Sequence, residues 1–463
     1  MVPVTYPIAD QSASIVRQNM ARIKLFTVAG PLLCHPAQAH RIVQLLKNRQ
    51  SWGLEQPLVM LAVHSEHEQT AAEQFQSGIA RDLAQYVIVR QNGHNETVGH
   101  AIELFRKAFD PSADPFTAKR QSLYLTRRGG KGKANFVSPF LGGSGTTCGE
   151  WTRPMVRKAD GSVIKDFMKA SVAVGFCPVA CPYCYLNMPY TDGMDVALNW
   201  EDLADELLKT WRQYRYPINF GETSGLVEYD EWFAEPNGTG SMIQFVIDAC
   251  AEADVTPFFL TKIRYPRYLQ FHGKVQVGIS LMPEPVREWL APNGSPAEEL
   301  LDSLAWAWSV GAVDPVIRLT AIWQQREVYL DFLKHIRDRL GTSSWRLTLD
   351  ILRFTPGTAS TIAKRYPTAA VTFAREIAPN DITTLNELAR IAKGGEEHVK
   401  KIRPPADRQA EIFIWFRQQL NGLGCKDVLL TPCKGDPQEL LPLARSKVLN
   451  VMPCACYGIQ TPI

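Results

Sequence analysis

The sequence predicts an α/β protein: a parallel sheet with helical crossovers, preceded by a smaller α/β unit and followed by a C-terminal extension. Three observations predict it. From about residue 170, apolar strand patterns alternate with helical ones. Two short apolar runs, Leu58–Val63 and 86–89, lie among helical patterns in the first 118 residues. A glycine-rich, basic stretch separates the two regions.

The N-terminal unit, 1–118, carries helical patterns near 37–49, 67–84 and 97–109, around strands fit for burial. The connecting segment, 119–169, holds Arg127-Arg128-Gly129-Gly130-Lys131-Gly132-Lys133 and Gly142-Gly143-Ser144-Gly145, which is loop composition. In the central region, 170–370, the expected strands are 171–176, 217–221, 256–262, 274–280, 315–322 and 345–352. The expected helices there are 200–213, 239–253, 296–310 and 325–339. Strands joined by helices imply a parallel sheet whose ligand site lies at the strands' C-terminal ends. In the extension, 371–463, Pro404-Pro405 marks a break and a helix is expected from Glu411.

Composition bounds the function. With 463 residues, 45% hydrophobic and 21% charged, the chain builds a large core and two or three domains. A net charge of +3 is too small to argue for nucleic-acid binding. No apolar run approaches the ~20 residues that span a bilayer. The N-terminus lacks a basic region followed by an apolar stretch, so the sequence expectation is a cytoplasmic protein. Ten cysteines in a reducing compartment point to metal ligation rather than disulfides.

The chemistry concentrates in Gly-Phe-Cys-Pro-Val-Ala-Cys-Pro-Tyr-Cys-Tyr-Leu, where Cys177, Cys181 and Cys184 are spaced C-x3-C-x2-C. Three thiolates can hold three irons of a 4Fe–4S cluster and leave the fourth open to chelate a small molecule. A zinc site pairs two C-x2-C knuckles, or one with histidines, and neither completes the set here. This spacing resembles the radical S-adenosylmethionine (SAM) superfamily. The resemblance implies a partial (βα)6 TIM-like barrel, a SAM-ligated cluster, and homolysis of SAM to a 5′-deoxyadenosyl radical that takes hydrogen from substrate.

Later motifs narrow the resemblance. Asn219-Phe220-Gly221-Glu222-Thr223-Ser224-Gly225-Leu226-Val227, Phe258-Phe259-Leu260-Thr261-Lys262, Val277-Gly278-Ile279-Ser280-Leu281-Met282-Pro283 and Leu352-Arg353-Phe354-Thr355-Pro356 end successive strands. With Tyr185-Leu186, Asn293-Gly294-Ser295-Pro296 and Lys364-Arg365-Tyr366-Pro367, they are similar to the spore photoproduct lyase family over roughly residues 120–370. The resemblance puts Glu222 at the SAM amino group. Thr223, Ser224 and Ser280 then face the carboxylate or ribose, with Lys262 at the carboxylate and Tyr183 near the adenine. In the lyases a cysteine occupies the position of Glu222 and returns a hydrogen atom to thymine. A glutamate O–H bond is too strong for that task, so the match carries the scaffold and the SAM chemistry further than the DNA repair.

Cys425, Cys433, Cys454 and Cys456 are the number of ligands that closes a second iron–sulfur or zinc site. His64, His67, His94 and His100 read as solvated loop residues, and Trp306, Trp308 and Trp323 as packing. The expected function is a radical SAM enzyme resembling the lyases, reduced by a flavodoxin or ferredoxin-type donor. Its substrate classes are a nucleic acid or nucleotide, a small metabolite or nucleoside, or a peptide modified with help from an auxiliary cluster. A non-catalytic iron–sulfur protein for electron transfer or sensing is the alternative of another class, and a SAM titration separates it.

Overall fold

The computed structural model describes residues 11–92, 94–128, 136–139, 168–184, 186, 193–214, 216–221, 225–322, 326–351, 356–365, 404–433 and 442–450, with the single positions 375, 386, 389 and 390. The fold is mixed α/β and carries two largely parallel sheets.

The first sheet begins with β1 (Leu25–Ala29), β2 (Leu58–Val63), β3 (Gln85–Arg90) and β4 (Ser122–Thr126). Strand β2, Leu-Val-Met-Leu-Ala-Val, is buried along its whole length because both faces are covered. Its alternate residues divide accordingly: Val59, Leu61 and Val63 join the main core, while Leu58, Met60 and Ala62 pack with Val98, Ala101 and Phe105 on the other face. Helices Pro36–Ser51, Glu66–Ser77 and His94–Ala108 supply the covers. The second is shorter than its periodicity suggests: Ser65 Oγ caps its start by accepting from Glu68 N, and it stops before Gly78.

Between the sheets run β5 (Val137–Pro139), β6 (Met168–Ala170), β7 (Ala173–Gly175) and β8 (Met194–Ala197). The expected strand 171–176 is here corrected to two three-residue strands in different sheets. β6 lies in the second sheet; the chain crosses at Ser171–Val172, and β7 pairs antiparallel with β8 in the first. The first sheet therefore runs β3-β2-β1-β4-β8-β7. The cysteine loop thus leaves from the edge strand of the first sheet.

The second sheet adds β9 (Ile218–Asn219), β10 (Pro257–Thr261), β11 (Gln276–Leu281), β12 (Val313–Ala321), β13 (Arg346–Ile351) and β14 (Leu429–Pro432). Its order is β14-β13-β12-β11-β10-β9-β6-β5, parallel throughout except at β5–β6. Helices Trp200–Thr210, Met242–Glu252, Ala297–Ser309 and Arg326–Leu340 stand where the periodicity places them. Strand β14 is an addition. It follows the helix Ala406–Gly422, whose Arg417 donates to the carbonyls of Val428 and Val448 at 3.1 and 3.0 Å. The main apolar core runs without a break from the first sheet to the second. Among the described residues, no helix is long and apolar enough to cross a membrane.

Candidate cofactor-binding cleft

Parallel strands present their C-terminal ends to one side of a sheet, and that is where the cleft forms. It is a cleft open to solvent, with about 620 Å³ of space between its walls, solvent included. One wall is the loop after β7, with Cys177, Cys181 and Cys184; the facing wall is built from Glu228, Thr261, Lys262, Ser280 and Arg318.

The loop that carries the cysteines is held from the N-terminal unit. Phe116 packs edge-on against Phe176 at 5.4 Å, and the Arg120 guanidinium lies 4.9 Å from the Phe176 ring. Burial pushes the Cys177 thiol well above its ordinary pKa, and the nearby Glu228, Cys181 and Cys184 add to the rise. Burial also pushes Cys181 up, to about 12, against the opposing pull of Lys262 and Arg120. The Cys177 and Cys181 thiols, held from ionising by burial, would be stabilised as thiolates by a bound cation. Among the described residues, no three His, Cys, Asp or Glu side chains are placed to hold a single metal ion. Three free cysteines from one short loop line the cleft, a donor set that suits a cluster in which each cysteine binds its own iron.

On the facing wall, Lys262 follows the last residue of β10 and its Nζ donates to Ser280 Oγ on β11. The ammonium lies 5.8 Å from the centre of the Tyr183 ring. Burial opposes the Lys262 charge, but Tyr183 and Cys181 outweigh it, so its pKa lies above the ordinary value. Arg318 on β12 pairs with Asp350 on β13 at 2.6 Å.

Glu228, on the helix Val227–Phe233, is 3% exposed. Its Oε1 accepts from Thr261 Oγ1 at 3.0 Å and from Lys262 N at 3.1 Å, while Oε2 has no hydrogen-bond partner among the described residues. Burial raises its pKa, only partly offset by those donors. A Cβ at position 225 would lie 2.0 Å from Oε2, so Gly225 leaves the space that the carboxylate fills. Gly221 plays a similar part against β10, where a Cβ would fall 2.8 Å from the Leu260 carbonyl oxygen.

The cleft gathers Cys177, Cys181, Cys184, Lys262 and Ser280 as the sequence reading expects, with Tyr183 packed against Lys262. Glu222, Thr223 and Ser224 lie outside the described residues. Of the four C-terminal cysteines, two lie among the described residues, both buried. Cys425 precedes β14 and Cys433 follows it, with Cys433 N donating to Leu349 O at 2.7 Å. Cys454 and Cys456 lie outside the described residues. His64 Nδ1 is 2.8 Å from the Gln91 carbonyl, and Trp306 packs against Phe271 at 5.8 Å, so neither belongs to the cleft.

The sequence reading missed Glu228, Arg318 and Asp350. The signal for the last two was available, since each is a charge among buried residues near the C-terminal end of a strand. Glu228 had a weaker signal, an acid in the aromatic run Val-Glu-Tyr-Asp-Glu-Trp-Phe.

No protein-family model matches the chain, and no curated protein does. Solved structures of spore photoproduct lyase match in fold. A cysteine-to-alanine variant with dinucleoside spore photoproduct matches at 15% identity with a TM-score of 0.52. The same variant in a second structure gives 15% and 0.54, and a tyrosine-to-phenylalanine variant gives 14% and 0.53. Each match covers 89% of this chain and 98% of the other. The shared fold extends well beyond the region whose motifs carry the sequence resemblance.

Proposed function

We propose that this chain is a radical SAM enzyme with a scaffold like that of spore photoproduct lyase. The observation that carries the reading is the meeting of three cysteines from one short loop with Lys262, Ser280 and Glu228 across a single cleft. Cys177, Cys181 and Cys184 would hold a 4Fe–4S cluster. When bound and reduced, that cluster supplies the electron that splits SAM into methionine and a 5′-deoxyadenosyl radical.

The chain's own residues bind and orient. Lys262, kept charged by its surroundings and steadied by Ser280, takes the SAM carboxylate. Glu228 takes the amino group at its unpartnered oxygen. Tyr183 walls the cleft beside Lys262. The cysteine loop on one side and rigid strand ends on the other hold the ligand. The reaction is homolytic, so it needs no His/Asp acid–base pair. The one-electron donor is a flavodoxin or ferredoxin in the cytoplasm.

The substrate class follows from the scaffold and from one departure. The lyase-like scaffold favours a nucleic-acid lesion or nucleotide. Glu222, where the lyases carry a hydrogen-donating cysteine, requires that any returned hydrogen come from another donor or that the product radical be quenched differently.

The test is anaerobic reconstitution with iron and sulfide, followed by SAM, dithionite and a dinucleoside spore photoproduct, with 5′-deoxyadenosine and thymine products followed by mass spectrometry. Both products establish a lyase with a new hydrogen donor. 5′-Deoxyadenosine without repair keeps the radical SAM assignment and moves the substrate to a metabolite, nucleoside or peptide. Cluster-loaded protein that binds no SAM removes the assignment and leaves an electron-transfer or sensing protein.

A further inference from the structure

The cysteine loop owes its shape to side chains that the radical SAM reading does not use. Its spacer, Pro178-Val179-Ala180, separates Cys177 from Cys181, and Ala180 has φ +54°. An L-residue in that left-handed region persists only where its surroundings over-determine the backbone. Two adjacent carbonyls just before it are pinned from outside. Arg22 Nη2 donates to Pro178 O, and Asn293 Nδ2 donates to Val179 O at 3.0 Å.

These two donors are tied to each other. Arg22 also donates to Asn19 Oδ1 at 2.5 Å, and Asn19 Nδ2 donates to Asn293 O at 3.3 Å. The relay therefore leaves the loop at Pro178, passes through Arg22, Asn19 and Asn293, and re-enters at Val179. Asn19 is 1% exposed, so an amide that lost its partners there would stay buried and unsatisfied. A further hydrogen bond holds the loop's entrance, from Tyr229 Oη to Phe176 O at 2.9 Å.

The relay joins three distant parts of the chain. Asn19 belongs to the N-terminal helix Gln11–Ala21, and Arg22 follows it directly. Asn293 is the neighbour of Gly294 and Ser295, which line a small cavity that shares Lys262 and Ser280 with the main cleft. One closed circuit thus fixes the cysteine loop relative to the wall that faces it.

We infer that Arg22, Asn19 and Asn293 are positioning residues for cluster ligation, and that the N-terminal unit takes part in the site by holding the cysteine loop in its ligating shape. The inference rests on the radical SAM reading, because it assigns the loop a cluster to hold. Removing outer partners of metal ligands typically weakens binding by about tenfold or more.

The experiment uses the full chain, reconstituted anaerobically, with Arg22→Ala, Arg22→Lys and Asn293→Ala beside the wild type. Iron and sulfide per chain, the rate at which cluster absorbance bleaches in air, and the electron paramagnetic resonance spectrum with and without SAM are measured. Melting of the apo protein controls for folding. Arg22→Ala and Asn293→Ala are expected to melt near the wild type yet bleach about tenfold faster, with an altered spectrum on adding SAM. Arg22→Lys, which retains one donor, should recover part of the loss. If Arg22→Ala does not fold, Asn293→Ala, which removes only the donor to Val179, decides. Variants that keep the cluster as long as the wild type, with the same spectra, overturn the inference and leave the radical SAM reading intact. A wild type that takes up no cluster overturns that reading, and the positioning role with it.

Discussion

Glu228→Gln tests the cleft at the point where its chemistry is least balanced. The substitution keeps an oxygen for Thr261 Oγ1 and Lys262 N, the two donors that hold the side chain at 3.0 and 3.1 Å. It replaces the oxygen over Gly225 by an amide nitrogen, which donates where an ammonium ligand needs an acceptor. A hydrogen bond to a charged group is worth about 1.5–3 kcal/mol, so SAM should bind about 10- to 150-fold more weakly. Stability should move the other way. With no ligand present, Glu228 holds an unpartnered oxygen in a position 3% exposed to solvent, and its pKa is raised by burial. The neutral amide removes a desolvated carboxylate, so the apo chain should melt no lower than the wild type and up to a few degrees higher. The assays are a SAM titration of anaerobically reconstituted protein and thermal melting of the apo protein. A lowered apo melting point with unchanged SAM affinity would refute the reasoning and make Glu228 a structural residue.

Other expectations follow from the same geometry. Cys181→Ser should abolish the cluster's visible absorbance and SAM binding together; iron content that falls in Cys425→Ser or Cys433→Ser would assign these cysteines to a second site, and unchanged iron would remove that site. Gly225→Ala should reproduce the binding loss of Glu228→Gln, since its Cβ would displace Oε2, and retained affinity would show that the carboxylate can move aside freely. Asp114 supplies the pH prediction: burial pushes its carboxyl up, but Thr117 and Arg365 outweigh this, so its folded pKa lies below the ordinary range. A carboxylate with a depressed folded pKa stabilises above its unfolded pKa of about 3.9 and loses that stabilisation as pH falls through the folded value. Asp114→Asn should therefore flatten the acid limb of a melting-against-pH curve below about pH 4, and an unaltered slope would count against the pair.

The parts of the site that were legible in the sequence are those written in local spacing. Cys177, Cys181 and Cys184 sit within one loop, so their pattern needs no tertiary information. Lys262 and Ser280 lie at the ends of apolar runs that read as strands, and the ligand side of a parallel sheet is fixed by strand direction. β7 was not separated from β6, since strands of three residues are too short to show a period and a change of sheet leaves no mark in hydropathy. Glu228 escaped for a different reason: its role depends on an oxygen filling the space above Gly225, and a spacing of three residues between a glycine and an acid signifies nothing by itself.

The charges of the cleft also bear on the choice between an enzyme and a simple electron carrier. Lys262 stands with Ser280, Arg318 is tied to Asp350, and Glu228 keeps one oxygen unpartnered on the same wall. A cluster held by four thiolates carries net negative charge, which Lys262 and Arg318 would meet but which the unpartnered carboxylate oxygen of Glu228 would oppose. A buried carboxylate at Glu228 and half-buried cations at Lys262 and Arg318 on one wall are costly unless something in the cleft meets them. A ligand with an ammonium and a carboxylate on one carbon meets both, the first at Glu228 and the second at Lys262. The amino-acid end of SAM has that form, and so the wall facing the cysteines argues for a cleft built around a bound zwitterion rather than for a cluster alone.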